Sequence, residues 1–372
     1  MPMWSHAYIG TCQEGTQKLS VYAKSLTGQD NDSFCIYGQS GYGKSVTATS
    51  ILYQKAAQGY SARIIDFHHT SDPQHIYPLL QKPFEQLSTR IDAYTAPIPT
   101  TLFTPQRYSD NVSEAASDLS YTIAGIFAKN LGLRQSATAA LSESIEYAIT
   151  DRNDCPDIFP AILDVLKELG TRSSKTAVER LAPLLQHNVF RCEEVHYTAG
   201  IQIIDLSKYP PPFQRVISEL LLFEEFRTAS SQKQSPRYIH IDELQNLPID
   251  KDGYLGKILA EGRKYSLHVI LASQSIREFT AAERTLLSQV NYKLFFHPTL
   301  LEVKYYSELL AAPQHRAEIS ELLRGLTVGQ CIIQGPVYIG EDTKPTYSPI
   351  CVQIDHPEKA LDATPLEGIN SP

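Results

Sequence analysis

Short, almost wholly apolar runs alternate along this chain with longer stretches of helical period. Apolar runs bounded by turn formers predict buried strands, and apolar positions three and four apart predict amphipathic helices. On this basis residues 7–10 and 18–25 form short strands or a leading β-hairpin, and 33–37 a short strand that ends in glycine. A helix at 46–58, closed by Gly59, precedes a second buried strand at 62–67, "ARIIDF". Prolines at 73, 78, 83, 97, 99 and 105 keep 73–110 from being one long helix. Helical periodicity then holds at 112–131, 136–150, 157–169 and 175–187. Strand patterns resume at 200–206, 237–242, 267–272 and 291–296, with helices between them at 212–229, 253–265 and 280–289. Residues 315–325 read as helical, and 331–339 and 350–354 as final strands. Such alternation predicts an α/β fold, a mostly parallel central sheet flanked by helices.

Composition narrows the class. Of 372 residues, 42% are hydrophobic and 20% charged, which is ordinary for a globular chain and argues against disorder. The net charge of −8 argues against a broad nucleic-acid-coating surface and confines any such contact to a local one, for example inside a channel. Six scattered cysteines, with no CxxC pair and no zinc spacing, read as reduced thiols of a cytoplasmic protein. His68 and His69 read as loop or active-site-rim histidines rather than a metal pair. No basic-then-apolar leader opens the chain and no apolar run could span a bilayer, so no direct membrane insertion is expected.

The strongest chemical signal is Gly38-Gln39-Ser40-Gly41-Tyr42-Gly43-Lys44-Ser45, which satisfies G-x-x-x-x-G-K-[ST] between a strand and a helix. Glycines let backbone N–H groups approach phosphate oxygens, and the positive end of the following helix faces them. Gly38, Ser40, Gly41, Tyr42, Gly43, Lys44, Ser45 and Val46 are therefore the candidate ATP-binding residues. Lys44 supplies charge to the β- and γ-phosphates, and the Ser45 hydroxyl a ligand for Mg2+. A second acidic site is expected at the end of "YIHIDE". There Asp242 would hold Mg2+ and Glu243 would polarise the attacking water.

Four further segments resemble the HerA/FtsK superfamily of P-loop ATPases, HerA-like (DUF87-type) and related to conjugation and type IV secretion ATPases. "AEGRKYSLHVILASQS" at 260–275 looks like that family's Arg-helix-strand-Gln segment, "IIDFHH" at 64–69 its DPHGEY strand end, "IIDLSKY" at 203–209 the strand before its long helix, and "LTVGQCII" at 326–333 its closing strand. Thr70 and Ser71 depart from the pattern where the family often has glutamate and tyrosine. The resemblance implies a RecA-like core carrying a helical insertion. It gives Gln274 a role in sensing the γ-phosphate or positioning water, and makes Arg263 an arginine finger acting on a neighbouring subunit's ATP. It divides the chain into a short β segment (1–32), the P-loop half of the core (33–107), the insertion (108–195), the second half (196–356) and a C-terminal tail (357–372). Only 37 residues precede Gly38, too few for the whole β-barrel of HerA proteins.

The same resemblance implies a homo-hexameric ring that translocates or unwinds DNA through a central pore; such a pore needs basic or polar loops, for which Lys129–Arg134 and Arg172–Lys175 are the candidates. Two alternatives stay open: a secretion or assembly ATPase acting on protein, and an NTP-gated scaffold controlling a partner effector such as a nuclease.

Overall fold

A computed structural model describes residues 4–26, 30–72, 76, 78–109, 112–151, 157–193, 200–231 and 236–354. Along the chain β1 (Trp4–Glu14) and β2 (Gln17–Leu26) form a hairpin, and β3 (Phe34–Tyr37) leads to α1 (Lys44–Ala57). Then come β4 (Ser61–Asp66), α2 (Pro78–Leu87), β5 (Ser88–Asp92), β6 (Ile98–Thr100), β7 (Arg107–Ser109) and β8 (Val112–Ser113). Four helices follow: α3 (Ala116–Leu131), α4 (Gln135–Asp151), α5 (Ile158–Leu169) and α6 (Arg172–His187). β9 (Phe190–Cys192), β10 (Gly200–Asp205), α7 (Pro211–Ser231), β11 (Arg237–Ile241), α8 (Tyr254–Glu261) and β12 (Leu267–Ser273) continue the chain. It closes with α9 (Ala281–Leu287), β13 (Tyr292–Phe296), α10 (Leu300–Leu310), α11 (Arg316–Gly325), β14 (Gln330–Gln334), β15 (Val337–Ile339) and β16 (Ile350–Gln353).

The chain forms two compact units, Met1–Thr89 with Thr198–Ile203 and Gln234–Pro372, and Arg90–Tyr197 with Ile204–Lys233. The first is built on a sheet ordered β15-β2-β1-β16-β14-β13-β3-β12-β11-β4-β10-β5. Around β3 the pairing is parallel: β13 and β12 flank β3, and β11 lies between β12 and β4. From β13 outward through β14, β16, β1, β2 and β15 it is antiparallel. The strands β3, β11 and β12 are buried on both faces, which is why β3 and the Val269–Ala272 stretch of β12 read as apolar runs; β11 carries buried Arg237 and His240 among its apolar residues. On one face, Phe34, Ile36, Leu294, Phe296 and Ile333 pack against Ala48, Ile51 and Leu52 of α1. The core is α/β, with the parallel strands that carry the phosphate loop at its centre.

At the end of this sheet away from the phosphate loop, a buried polar network joins four elements through the loop residue Asp32. Lys55 of α1 is fully buried and sits 2.6 Å from Asp32 Oδ2 and 2.6 Å from Ser5 Oγ of β1. Tyr238 of β11 donates to the same carboxylate oxygen at 2.6 Å, and Ser25 of β2 to the other at 3.2 Å. Burial opposes ionisation of Asp32, yet Lys55 beside it holds its carboxyl below the ordinary range. The network ties the hairpin to the helix that begins at the phosphate loop.

In the second unit α3 packs on α4 and α7, and α5 on α6. The mid-helix polar residues of α7 are satisfied: Glu224 Oε1 accepts from Thr100 Oγ1 at 2.8 Å and from the Thr101 amide at 2.7 Å, and Arg227 pairs with Glu114 at 2.7 Å.

Several elements differ from the sequence reading. The hairpin strands run 11 and 10 residues, longer than the apolar positions indicate, because the half-exposed β2 alternates with polar residues. Within the proline-rich stretch, α2 forms a helix of 10 residues around Pro83, held by buried Leu80 and Phe84. The helix expected at 253–265 ends at Glu261, and Gly262–Tyr265 tightens into a 3-10 turn. The strand expected at 331–339 is two strands, β14 and β15, parted at Gly335, whose φ of 149° and close approach to the Asn291 carbonyl exclude a side chain. α10, at 300–310, has no counterpart in that reading. The tail expected from 357 lies outside the described residues.

Candidate nucleotide site

The phosphate loop leaves the C-terminal end of β3, a fully buried strand. Gly38 has φ +140°, and a Cβ there would lie 2.7 Å from Phe296 Cβ, so only glycine fits where the loop passes β13. Gly43, at φ +115°, is the N-cap of α1, and no side chain caps that helix. Its first-turn N–H groups are thus offered to a ligand rather than to the protein's own side chains. Ser40 and Gly41 are exposed at the loop's tip. The loop is braced from outside: the Gln39 amide donates to the His297 carbonyl at 3.0 Å, Tyr42 stacks on His297 at 4.6 Å, and the Gly329 amide donates to the Tyr42 carbonyl at 3.0 Å. Val46 is half-buried on the first turn of α1.

Lys44 is buried, and its ammonium folds back on the loop, donating to the Gln39 carbonyl at 3.0 Å. Burial pulls its pKa below the ordinary value, and Asp242 and Glu243 work against that pull. Ser45 Oγ donates to Asp242 Oδ2 at 3.0 Å, so residues 197 apart in sequence meet where α1 begins and β11 ends. Asp242 is buried, and its other oxygen accepts from the Glu243 amide at 2.9 Å.

Glu243 adopts φ +53°, a left-handed conformation uncommon outside glycine, immediately after β11. Both its carboxylate oxygens are engaged. Gln274, exposed just past the end of β12, places Nε2 at 3.0 and 3.1 Å from them, and Gln245 donates to Oε2. Gln245 is in turn fixed by Ser273 Oγ at 3.0 Å. The carboxyl of Glu278, one turn further on, is pushed up by burial and by Glu302 and Glu243, a sign of surplus negative charge around Glu243. The following turn is anchored by Ser275 Oγ donating to Glu302 of α10 at 2.6 Å.

A hydroxyl and a carboxylate oxygen in contact, beside a buried lysine and excess carboxylate, form the hard-oxygen donor set that suits Mg2+ bound with phosphates and water. Ser45 and Asp242 are the residues that would hold such an ion.

The structure therefore brings together the phosphate loop, Asp242, Glu243 and Gln274. It leaves Arg263 apart from them: that side chain is exposed on the 3-10 turn after α8, with no hydrogen bond or ion pair among the described residues, whereas Lys264 beside it reaches Glu261 at 3.4 Å. His68 is a rim residue, its Nε2 3.3 Å from Asn246 Nδ2. Asp66, the acid of "IIDFHH", is buried and spends both oxygens on its own loop, accepting from the amides of His68, Thr70 and Ser71 at 3.2, 3.0 and 3.1 Å. Sequence reasoning missed Gln245 and His297. The first was signalled only by lying two residues beyond Glu243; the second had no local signal.

No protein-family model matches the chain, and no curated protein matches it in sequence. Solved structures do match its fold. VirB4 of Thermoanaerobacter pseudethanolicus superimposes with a TM-score of 0.67 at 16% identity, over 95% of this chain and 98% of that one. The bacterial conjugative coupling protein TrwB, in a form with sulphate, superimposes with a TM-score of 0.56 at 12% identity, over 87% of this chain and 85% of that one. A second TrwB structure, in complex with ADP and Mg2+, gives a TM-score of 0.50 at 15% identity over the same shares of the two chains. At these identities the likeness establishes the fold, a RecA-like P-loop core.

Proposed function

We propose that this chain is an NTP-hydrolysing motor subunit that binds Mg·ATP between the phosphate loop and the end of β11. The observation that carries this reading is the 3.0 Å contact of Ser45 Oγ with Asp242 Oδ2 beside the buried Lys44. Lys44 and the uncapped start of α1 would take the phosphates. Ser45 and Asp242 would hold Mg2+, which supplies charge neutralisation at the phosphate oxygens. Glu243 would orient and deprotonate the attacking water. Gln274 already bonds to Glu243, and that position suits a residue that responds when a γ-phosphate arrives. TrwB, similar in fold, has been solved with ADP and Mg2+, which supports the same ligands here.

Arg263 is exposed and has no ion pair among the described residues, as suits an arginine that completes the nucleotide site of a neighbouring copy in a ring. Duplex DNA is the polymer that the HerA/FtsK resemblance favours. A second reading, a protein-moving or assembly ATPase, is favoured by the net charge of −8. Among the described residues no helix is long and apolar enough to cross a membrane, and action in the cytoplasm is part of the proposal.

The test is steady-state hydrolysis without polymer and with single-stranded DNA, duplex DNA or RNA, with the oligomer mass recorded. The DNA-motor reading expects duplex DNA to raise the rate several-fold. It also expects Arg263→Ala to lose turnover while keeping nucleotide binding and mass, and to regain part of it when mixed with Lys44→Ala subunits. Hydrolysis indifferent to every nucleic acid would remove DNA from the account and leave the protein substrate.

A further inference from the structure

The sheet face turned away from α1 carries a cavity of about 450 Å3, a volume within the range of small-molecule sites. Alternation along the strands puts Phe34, Ile36 and Leu294 against α1, and so turns Tyr37, Lys293 and Phe295 the other way, under α9 and α10. Tyr37 and Phe295 stack at 5.6 Å, and both are buried, as are Leu287 and Ile276 beside them. This gives the cavity an apolar, partly aromatic floor.

Two cations line it, Lys293 of β13 and Arg284 of α9, and none of the residues that line it is a carboxylate. Lys293 donates to the Val290 carbonyl at 2.5 Å, and Arg284 donates to the Phe279 carbonyl and lies 5.6 Å over the Tyr305 ring. Neither has an ion pair among the described residues. Lys55 and Arg227, both buried, differ in this respect, matched by a carboxylate at 2.6 and 2.7 Å respectively. Burial lowers the pKa of the Lys293 ammonium, which reflects the cost of keeping a charge there without a counter-charge. An incoming anion removes that cost, and an apolar body attached to it covers the aromatic floor.

We propose that this cavity binds a small aromatic acid, its carboxylate or phosphate held by Lys293 and Arg284 and its ring resting on Tyr37, Phe295 and Leu287. The occupant would lie against Tyr37, the residue before Gly38, and Ile276, two residues after Gln274. The site stands independently of the nucleotide reading, because its binding is measured without nucleotide.

The experiment titrates the full chain with 8-anilinonaphthalene-1-sulfonate, an aromatic anion whose fluorescence rises on binding, and competes it with phenylacetate, phenyl phosphate and neutral phenylacetamide. We expect a saturable site from which an acid displaces the probe at least about tenfold better than the amide does. Preference between phenylacetate and phenyl phosphate tells whether carboxylates or phosphate esters are the natural class. Lys293→Met and Arg284→Met should each weaken probe binding about tenfold, and Lys293→Arg should stay within about threefold of the wild type. Circular dichroism and thermal melting confirm that each variant is folded. Equal competition by the amide, unchanged binding in both methionine variants, or no saturable binding would each overturn the proposal.

Discussion

The most constrained side chain of the nucleotide site is Glu243. Its left-handed backbone is a strain of the kind retained where surrounding contacts enforce it, and the amides of Gln245 and Gln274 hold its carboxylate from two sides. Gln245 is itself held by Ser273 at the end of β12, which makes it a positioning residue rather than a group that would touch nucleotide. Gln245→Leu should lower kcat about tenfold with little change in KM, since what is lost is orientation of the base and not ground-state binding. Steady-state kinetics check this, and a rise in KM at constant kcat would place Gln245 in nucleotide binding instead. The phosphate loop was legible in the sequence because its chemistry is local: glycine, lysine and serine at fixed short spacing follow from what a phosphate needs. The meeting of Ser45 with Asp242 could be read from two strand ends and one pattern. The brace of Tyr42 on His297 could not, because it depends on β13 lying beside β3, a pairing no local spacing encodes.

Among the elements, α1 is held at both ends. Its first turn faces the nucleotide site, and its last carries Lys55 into the network with Asp32, Ser5 and Tyr238. His268 of β12 lies against that network, fully buried, its ring 5.3 Å from that of Tyr238. Burial first, and Lys55 as well, bring its pKa down to about 4, against the pull of Asp32. An unfolded histidine titrates near 6.5. Between those values the unfolded chain binds a proton that the folded chain refuses, so stability is full above about pH 7 and falls as pH drops toward 4. His268→Gln should flatten that fall, as urea midpoints at pH 7, 6 and 5 would show. An unchanged slope would mean that His268 titrates alike in both states. Element types were mostly legible from apolar period: α3 to α7 and the buried strands β3, β4, β11 and β12 stand within a few residues of their expected places. α10 was not, because Leu300 and Leu301 at its start are exposed while buried Glu302 caps it, which inverts the usual signal of a helix face. Nor was α2, since Pro83 argues locally against a helix that burial of Leu80 and Phe84 supports.

At the scale of the whole molecule, one sheet gathers the phosphate loop, Asp242, Glu243 and Gln274 at the same edge, past the ends of β3, β11 and β12, while Arg263 stands apart before β12. That follows from the parallel pairing: strands that run the same way present their C-terminal ends together, and ligands collect there. The fold class was legible because alternation of strand and helix leaves few other arrangements. The joining of the β1–β2 hairpin to the same sheet through β16 was not, because antiparallel edges are set by contacts distant in sequence. Binding and hydrolysis of Mg·ATP at this edge are to be measured as equilibrium nucleotide binding and steady-state turnover on wild type, Lys44→Ala and Glu243→Gln. The wild type should show Mg2+-dependent turnover, and Lys44→Ala should lose nucleotide affinity. Glu243→Gln should bind ATP as the wild type does but turn it over about 100-fold more slowly or worse. Wild-type protein that neither binds nor hydrolyses ATP, or a Glu243→Gln variant that hydrolyses at the wild-type rate, would contradict this assignment of the edge.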